Sequence, residues 1–444
     1  MHQGISCKGW HLSANNVGAA LSTGLSERRP STATSKAKPK TALVLSGGGA
    51  RGAYQAGVLR GIFEVAAGLG IQRPFQILTG VSAGAVNTAF LAAHADNPTQ
   101  AVKRLTDFWG SLHSADVLRT DACTLGQIGW QWARDAVSGG TRRGPRAQAL
   151  LDTSPLADLI RLHIPFDAIR RNLDANHLEA VAVSATDYTS MECLSFYMAR
   201  RQVLPWHRSR RIGVDQNIGV SEVLASAAIP ILFPPVPIGK RFFGDGCLRN
   251  SAPLSPAVHL GADRLIVIGV RKAVGIDVIP NLDSVPHLED SVQPSIARVL
   301  NVIINAVLLD AVDADIERLA RINSTVDLLG RDAKSATTLR YIDWLYFHPS
   351  VDIAQIAIEE AHSMPSLIRY LVAGIGTTAD AADLVSYLLF EPAFCQRLLN
   401  LGYLDALART NDIANFLSSE DPHWSAEAKI PQTSEPWGFS ETAQ

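Results

Sequence analysis

The pentapeptide Gly80-Val81-Ser82-Ala83-Gly84 has the G-x-S-x-G spacing that suits a nucleophilic serine. Serine attacks a carbonyl carbon only when its hydroxyl stands clear of the backbone and a base takes its proton, and flanking glycines permit the sharp turn this needs. Phe75 to Thr79 reads as a strand before the turn, and the small residues Ala83 to Ala93 read as a helix after it. The amides and positive dipole end of such a helix face charge developing at Ser82. A second glycine cluster, Gly47-Gly48-Gly49-Ala50-Arg51-Gly52, follows another apolar strand, Thr41-Ala42-Leu43-Val44-Leu45. Consecutive glycines expose amides as a nest for an anion. Gly47, Gly49 and Gly52 also satisfy a G-x-G-x-x-G dinucleotide fingerprint, but that site needs an acid at the end of the next strand, and here the strand ends Leu78-Thr79-Gly80. No phosphate-loop lysine follows either. An oxyanion hole built from the amides of Gly48 and Gly49 is the better reading, with Arg51 steadying the loop or attracting an anionic substrate. Third, Asp245 sits between Gly244 and Gly246 at the end of the short apolar run Phe242-Phe243, open to close approach, and is the candidate base.

Histidine is the usual partner of a catalytic serine. The order Ser82, Asp245, His259 fits that of α/β-hydrolases, yet His259 falls inside an expected helix, Pro256 to Gly261, and His94 and His113 lie on helices or connectors. A Ser82–Asp245 dyad with a partly desolvated carboxylate is physically reasonable; a triad through His259 is the alternative.

Positioning these groups requires strands alternating with helices. Thr41–Leu45 is continuously apolar, as in a strand buried on both faces of a parallel sheet. Tyr54, Val58, Leu59, Ile62 and Val65 recur at helical spacing behind it, and Leu178–Ser184 and Leu265–Val270 are further apolar strands. The pattern predicts an α/β domain with a largely parallel sheet over residues 40–275. Residues 276–423 read as a helical extension packed on that domain. Its first helix, over 294–323, carries an apolar stripe of Ile296, Val299, Leu300, Ile303, Ile304, Val307, Leu308 and Val312, and further helices are expected near 352–374 and 380–415. Residues 1–39 and 424–444 have the composition of disordered tails. The first also has the basic, serine-containing character of a transit peptide, though with poor amphipathicity.

Composition narrows the class. The 444 residues are 47% apolar and 18% charged, as in a soluble globular protein, and the net charge of −2 argues against a nucleic-acid partner. The five cysteines are too scattered for a metal knuckle or redox pair, which points to a reducing compartment and to no cofactor. The charge-free runs 74–93 and 223–239 are broken by a turn and by prolines, so no membrane span is expected. No apolar leader of secretory length is evident, and the expected location is cytoplasmic or peripheral to a membrane. Arg200, Arg201, Arg208, Arg210 and Arg211, near Tyr197 and Trp206, read as a solvated loop or as a contact for anionic lipid headgroups.

Four segments taken together resemble the patatin-like phospholipase family. These are Leu45-Ser46-Gly47-Gly48-Gly49-Ala50-Arg51-Gly52, then Thr79-Gly80-Val81-Ser82-Ala83-Gly84-Ala85. Ala225-Ser226-Ala227-Ala228-Ile229-Pro230 with Phe233-Pro234-Pro235 follows, and last Asp245-Gly246-Cys247-Leu248-Arg249-Asn250 with Pro253. The resemblance spans about residues 41–270. It implies a three-layer α/β/α fold with a mostly parallel sheet, a lipid substrate and metal-independent cleavage of acyl esters. Ser82 would attack, Asp245 would accept its proton, Gly48 and Gly49 would hold the oxyanion, and an acyl-enzyme would form. Cys247 departs from the family, which usually has Gly or Ala there; the geometry is expected to survive, with a thiol-sensitive site. A catalytically inactive lipid-binding scaffold, an esterase using His259 and a nucleotide-binding protein are the competing functions.

Overall fold

The computed structural model describes residues 38–119, 149–272, 311–329, 337–374 and 380–419, with a few isolated positions between them. The expected tails, apart from Lys38 and Pro39, and most of the first half of the expected 294–323 helix lie outside the described residues. The described residues from Pro39 onward form one compact unit.

The described strands are β1 (Thr41–Leu45), β2 (Ile77–Val81), β3 (Ala180–Asp187), β4 (Glu192–Ala199), β5 (His207–Arg208), β6 (Arg211–Asp215), β7 (Val236–Ile238), β8 (Arg241–Asp245), β9 (Arg264–Ile268) and β10 (Asp343–Phe347). They form one sheet in the order β10-β9-β1-β2-β3-β4-β6-β5, with β8 also against β3 and β7 against β8. β10, β9, β1, β2 and β3 are mutually parallel, whereas β4 and β8 run antiparallel to β3. The apolar runs that predicted strands, β1, β2, β3 and β9, are buried along their whole length.

Alternate residues of β1 feed two apolar clusters. Leu43 and Leu45 join one that contains α1 (Gly52–Gly68), α2 (Ala83–Ala93) and α3 (Pro98–Gly110). Ala42 and Val44 join another with Ala257, Leu260, Val312, Ile316 and Leu319, carried by or beside the helices Ser255–His259 and Ala311–Leu328. Helices therefore cover both faces, and the architecture is three-layer α/β/α with further helices at the C-terminal end. Among the described residues no helix is long and apolar enough to cross a membrane.

One element differs from the sequence reading. Asp343-Trp344-Leu345-Tyr346-Phe347, within the segment read as helical, pairs with β9 in parallel from Asp343↔Arg264 to Phe347↔Ile268 and extends the central sheet. Its alternation of buried and half-buried residues is that of a strand.

The helix Pro392–Leu407 lies against α1 at close range. A Cβ on Gly57 would overlap the Leu399 carbonyl, and one on Gly402 would overlap the Tyr54 carbonyl. Backbone cannot yield as a flexible side chain can. Gly402→Ala is therefore expected to cost about 1–3 kcal/mol, read as a lower Tm; an unchanged Tm would mean that the two helices have slack between them.

Candidate active site

The carboxyl ends of the parallel strands deliver two of the three chemical groups side by side. Leu45, last of β1, is opposite Gly80 of β2, so the glycine loop and the Ser82 turn leave neighbouring strands at the same level. β3 delivers the third group. Its first five residues pair with β2, ending at Val81↔Ser184, and its last three pair with β8, beginning at Ala185↔Asp245. Ser82 leaves the sheet where Asp245 arrives.

Ser82 has φ 55° and ψ −128°, a conformation that costs of order 1–3 kcal/mol for a non-glycine residue. The turn is held from outside. Ser226 Oγ accepts from Ser82 N at 2.9 Å and donates to Ser184 O at 2.6 Å. Gly80 and Gly84 pack too closely for side chains, Gly84 against the carbonyls of Leu45 and Ser46. Gly246 packs likewise on the Ser184 carbonyl, Gly52 on Trp109 and Ala83, and Gly47 on the side chains of Ser82 and Cys247.

Both dyad candidates are buried, Ser82 at 3% and Asp245 at 0% exposure. Burial pushes Asp245 up to about 6, opposed by the nearby Ser82 hydroxyl and by the Cys247 amide. That amide donates to Asp245 Oδ1 at 2.9 Å. The Ser82 hydroxyl lies close enough to lower the carboxyl, but it does not close a hydrogen bond of standard geometry; Asp245 Oδ2 is buried without a partner. Long resting contacts of this kind are common before substrate arrives. The Asp245 backbone is tied down at 2.8 Å on each side, its N–H donating to Ala228 O and its carbonyl accepting from Thr186 Oγ1.

In the glycine loop, Gly49 has φ +55°, a left-handed conformation that favours glycine. Arg51 N donates to Gly48 O at 3.1 Å, while the amides of Gly48 and Gly49 donate to no described backbone carbonyl. Arg51 itself is 2% exposed, with Nε donating to Ser386 Oγ at 2.8 Å and a terminal nitrogen paired with Asp383. It steadies the loop and does not face solvent as a collector of anions.

A buried polar relay joins this loop to α2. Gln55 Nε2 donates to Ser46 O at 2.8 Å, and Asn87 Nδ2 donates to Gln55 Oε1 at 2.9 Å and to Gly52 O at 3.1 Å. Trp109 Nε1 closes the relay on Asn87 Oδ1 at 2.8 Å. The sequence reading missed Gln55, Asn87 and Ser226 as positioning groups. Ser226 lay in a quoted motif; Gln55 and Asn87 carried no local signal, because only the fold brings them together.

His259 is engaged elsewhere. Its Nδ1 lies 2.8 Å from Ser255 O, and its ring stacks on Trp206 at 4.9 Å within the surroundings of the second apolar cluster. Burial, the largest influence, holds it below its ordinary value. Cys247 is pushed well above the usual thiol range, by burial first and by the Asp245 charge second. The thiolate is the reactive form, so the expected thiol sensitivity finds no support. Among the described residues no acid, cysteine and histidine group could hold a metal ion.

The cavity that reaches Ser82 is apolar, walled by Val86, Phe108, Trp109, Leu156, Phe233 and Phe390 among others, and holds only about 40 Å³. A larger cavity of about 470 Å³ is lined by Arg60, Asp107 and Gln396 and includes neither Ser82 nor Asp245. Chemistry and not size marks the first as the relevant one.

A profile of patatin-like phospholipases matches residues 43–258, which hold the glycine loop, the serine turn and the aspartate. Residues 43–258 are a patatin-like phospholipase domain. No curated protein sequence matches the chain. Among solved structures, the chain is similar to VipD from Legionella pneumophila, at 12% identity and a TM-score of 0.31, covering 85% of this chain and 67% of that one. It is also similar to human GIVD cytosolic phospholipase A2 in complex with methyl γ-linolenyl fluorophosphonate, at 10% identity and a TM-score of 0.38, covering 86% of this chain and 59% of that one. A third likeness is to ExoU in the ExoU–SpcU complex of the Pseudomonas aeruginosa type III secretion system, at 16% identity and a TM-score of 0.26, covering 79% and 75%.

Because the folded carboxyl of Asp245 titrates above its unfolded value, its contribution to stability is greatest below the unfolded value and is lost as pH rises through about 6. Asp245→Asn in the patatin-like domain is therefore expected to keep or raise Tm at pH 7.5, with the advantage shrinking toward pH 4. A clear fall in Tm at pH 7.5 would mean that the ionised carboxylate is stabilised where it lies.

Proposed function

We propose that the chain is a lipid acyl hydrolase that cleaves carboxylic esters of fatty acids through Ser82 and Asp245. The reading rests above all on one observation: a serine held at positive φ beside a fully buried aspartate whose carboxyl is pushed up to about 6. A base of that strength is mostly ionised at neutral pH and more basic than an ordinary carboxylate. The patatin-like phospholipase domain and the apolar walls around Ser82 favour a lipid acyl group as substrate.

In the proposed reaction, Ser82 Oγ bonds to the ester carbonyl carbon as its proton passes to Asp245. The carbonyl oxygen takes the negative charge and is held by the amides of Gly48 and Gly49; loss of one such donor typically costs on the order of 10²–10³ in rate. Collapse breaks the ester C–O bond, and the departing alcohol takes the proton from Asp245. Water then adds to the acyl-enzyme, again giving its proton to Asp245, and the free fatty acid leaves with Ser82 reprotonated. The desolvation that raises the carboxyl also strengthens the oxyanion interactions. A cavity of about 40 Å³ is too small for a long acyl chain, so acyl-chain entry requires its apolar walls to part.

Incubation with phosphatidylcholine vesicles and with a fluorophosphonate, read by free fatty acid release and by intact mass, tests this reading. The expected result is fatty acid release and a single adduct on the wild type, both absent from Ser82→Ala. A folded wild type that takes no adduct and releases no fatty acid would favour the inactive scaffold. His259→Ala is expected to retain both activities, and their loss would favour the triad.

A further inference from the structure

The match to the patatin-like family ends at residue 258, yet the glycine loop is gripped by residues far beyond that point. The Arg51 side chain, in the loop, reaches the C-terminal helix Ala382–Leu388. Its guanidinium is paired with Asp383, donates to Ser386 Oγ at 2.8 Å and reaches Val270 O at 3.3 Å. Asp383 is braced in turn by Asn305 Nδ2 at 2.6 Å, and Ser386 Oγ donates to Asp383 O at 2.5 Å. The ring of Tyr387 lies 5.2 Å from the Arg51 guanidinium carbon, and its carbonyl presses on Gly49 so closely that a Cβ there would overlap it. The same stretch of chain then supplies Phe390 to the cavity wall at Ser82.

We propose that residues 383–390, beyond the part of the chain that matches the patatin-like family, are a working part of the active site. Asp383 and Ser386 are positioning residues that aim the Gly49 amide, one of the two proposed oxyanion donors, through Arg51, and Phe390 closes the acyl-binding cavity. This rests on the hydrolase reading above.

The physical argument is one of constraint. A guanidinium is a rigid planar fork, and buried as this one is it cannot swing without leaving donors unpaired. The Arg51 backbone N–H closes the turn on Gly48 O at 3.1 Å, so the orientation of the Gly48–Gly49 peptide follows the orientation of Arg51. The Tyr387 carbonyl packs on Gly49, at the end of the same peptide. Oxyanion donors act through direction as well as distance, so a small rotation of this peptide removes stabilisation from the transition state while leaving ground-state binding alone.

The test uses the full chain with p-nitrophenyl butyrate, a soluble ester small enough to make little use of the acyl cavity. Asp383→Asn keeps the shape and removes the charge; it is expected to lower kcat about 10-fold or more, with KM within about twofold and Tm little changed. Ser386→Ala, a milder lesion, is expected to move kcat in the same direction by less. Combined with Arg51→Lys, Asp383→Asn is expected to add little to the loss from Arg51→Lys alone, because both act through one guanidinium. Arg397→Ala, which breaks a solvent-facing ion pair with Glu359 and Glu360, serves as the control and leaves kcat unchanged. Wild-type kcat in Asp383→Asn and Ser386→Ala, losses confined to KM, or losses that only follow Tm would overturn the inference while leaving the hydrolase reading intact. A wild type with neither turnover nor a fluorophosphonate adduct would overturn both.

Discussion

β3 has one edge shared between two neighbours, and the candidate site lies where the edge changes hands. β2 holds it up to Ser184 and β8 takes it from Ala185. Two strands that meet end to end cannot both continue the ladder at that point, so each chain must turn out of the sheet. The one that ends carries Ser82 into α2, and the one that arrives ends at Asp245. The hydroxyl of Ser226 fills the junction, bonded to Ser184 O and to Ser82 N. Everything else in the site is arranged around this substitution of one hydrogen-bonding partner for another.

The arrangement is costly where it is chemically useful. Ser82 occupies a disfavoured backbone conformation, Asp245 is an ionisable group without access to water, and Asp245 Oδ2 lacks a hydrogen-bond partner. Each would be selected against in a residue whose only role was folding. The surrounding structure offsets them through a parallel sheet covered on both faces, through the buried relay of Gln55, Asn87 and Trp109, and through C-terminal helices that reach back to α1 and to the glycine loop. In the proposed reaction the same burial that destabilises the Asp245 carboxylate makes it a better base for Ser82.

Much of this was legible in the chain itself. The continuous apolar runs marked β1, β2, β3 and β9, because strands buried on both faces carry no polar alternation. The glycines around Ser82 marked a turn with close backbone approach, and Gly84 does lie against the end of β1. What stayed hidden depends on contacts distant in sequence. β10 is five residues long and flanked by helices, and only its pairing with β9 identifies it. Asn87 looks like one polar residue in an apolar helix until Gly52, Gln55 and Trp109 surround it. Arg51 invited a reading as a collector of anions; its partner Asp383 lies in a region whose sequence shows only helical periodicity.

The most direct measurement on the proposed Ser82–Asp245 pair is the pH dependence of the rate at which a fluorophosphonate phosphonylates Ser82. The account predicts a rate that rises with pH through an inflection near 6, set by ionisation of the buried carboxyl. In Asp245→Asn the inflection disappears and the rate above pH 6 falls by orders of magnitude, the deficit narrowing at lower pH. An inflection that persists in Asp245→Asn, or one that is lost on replacing His259, would contradict the claim that Asp245 takes the proton.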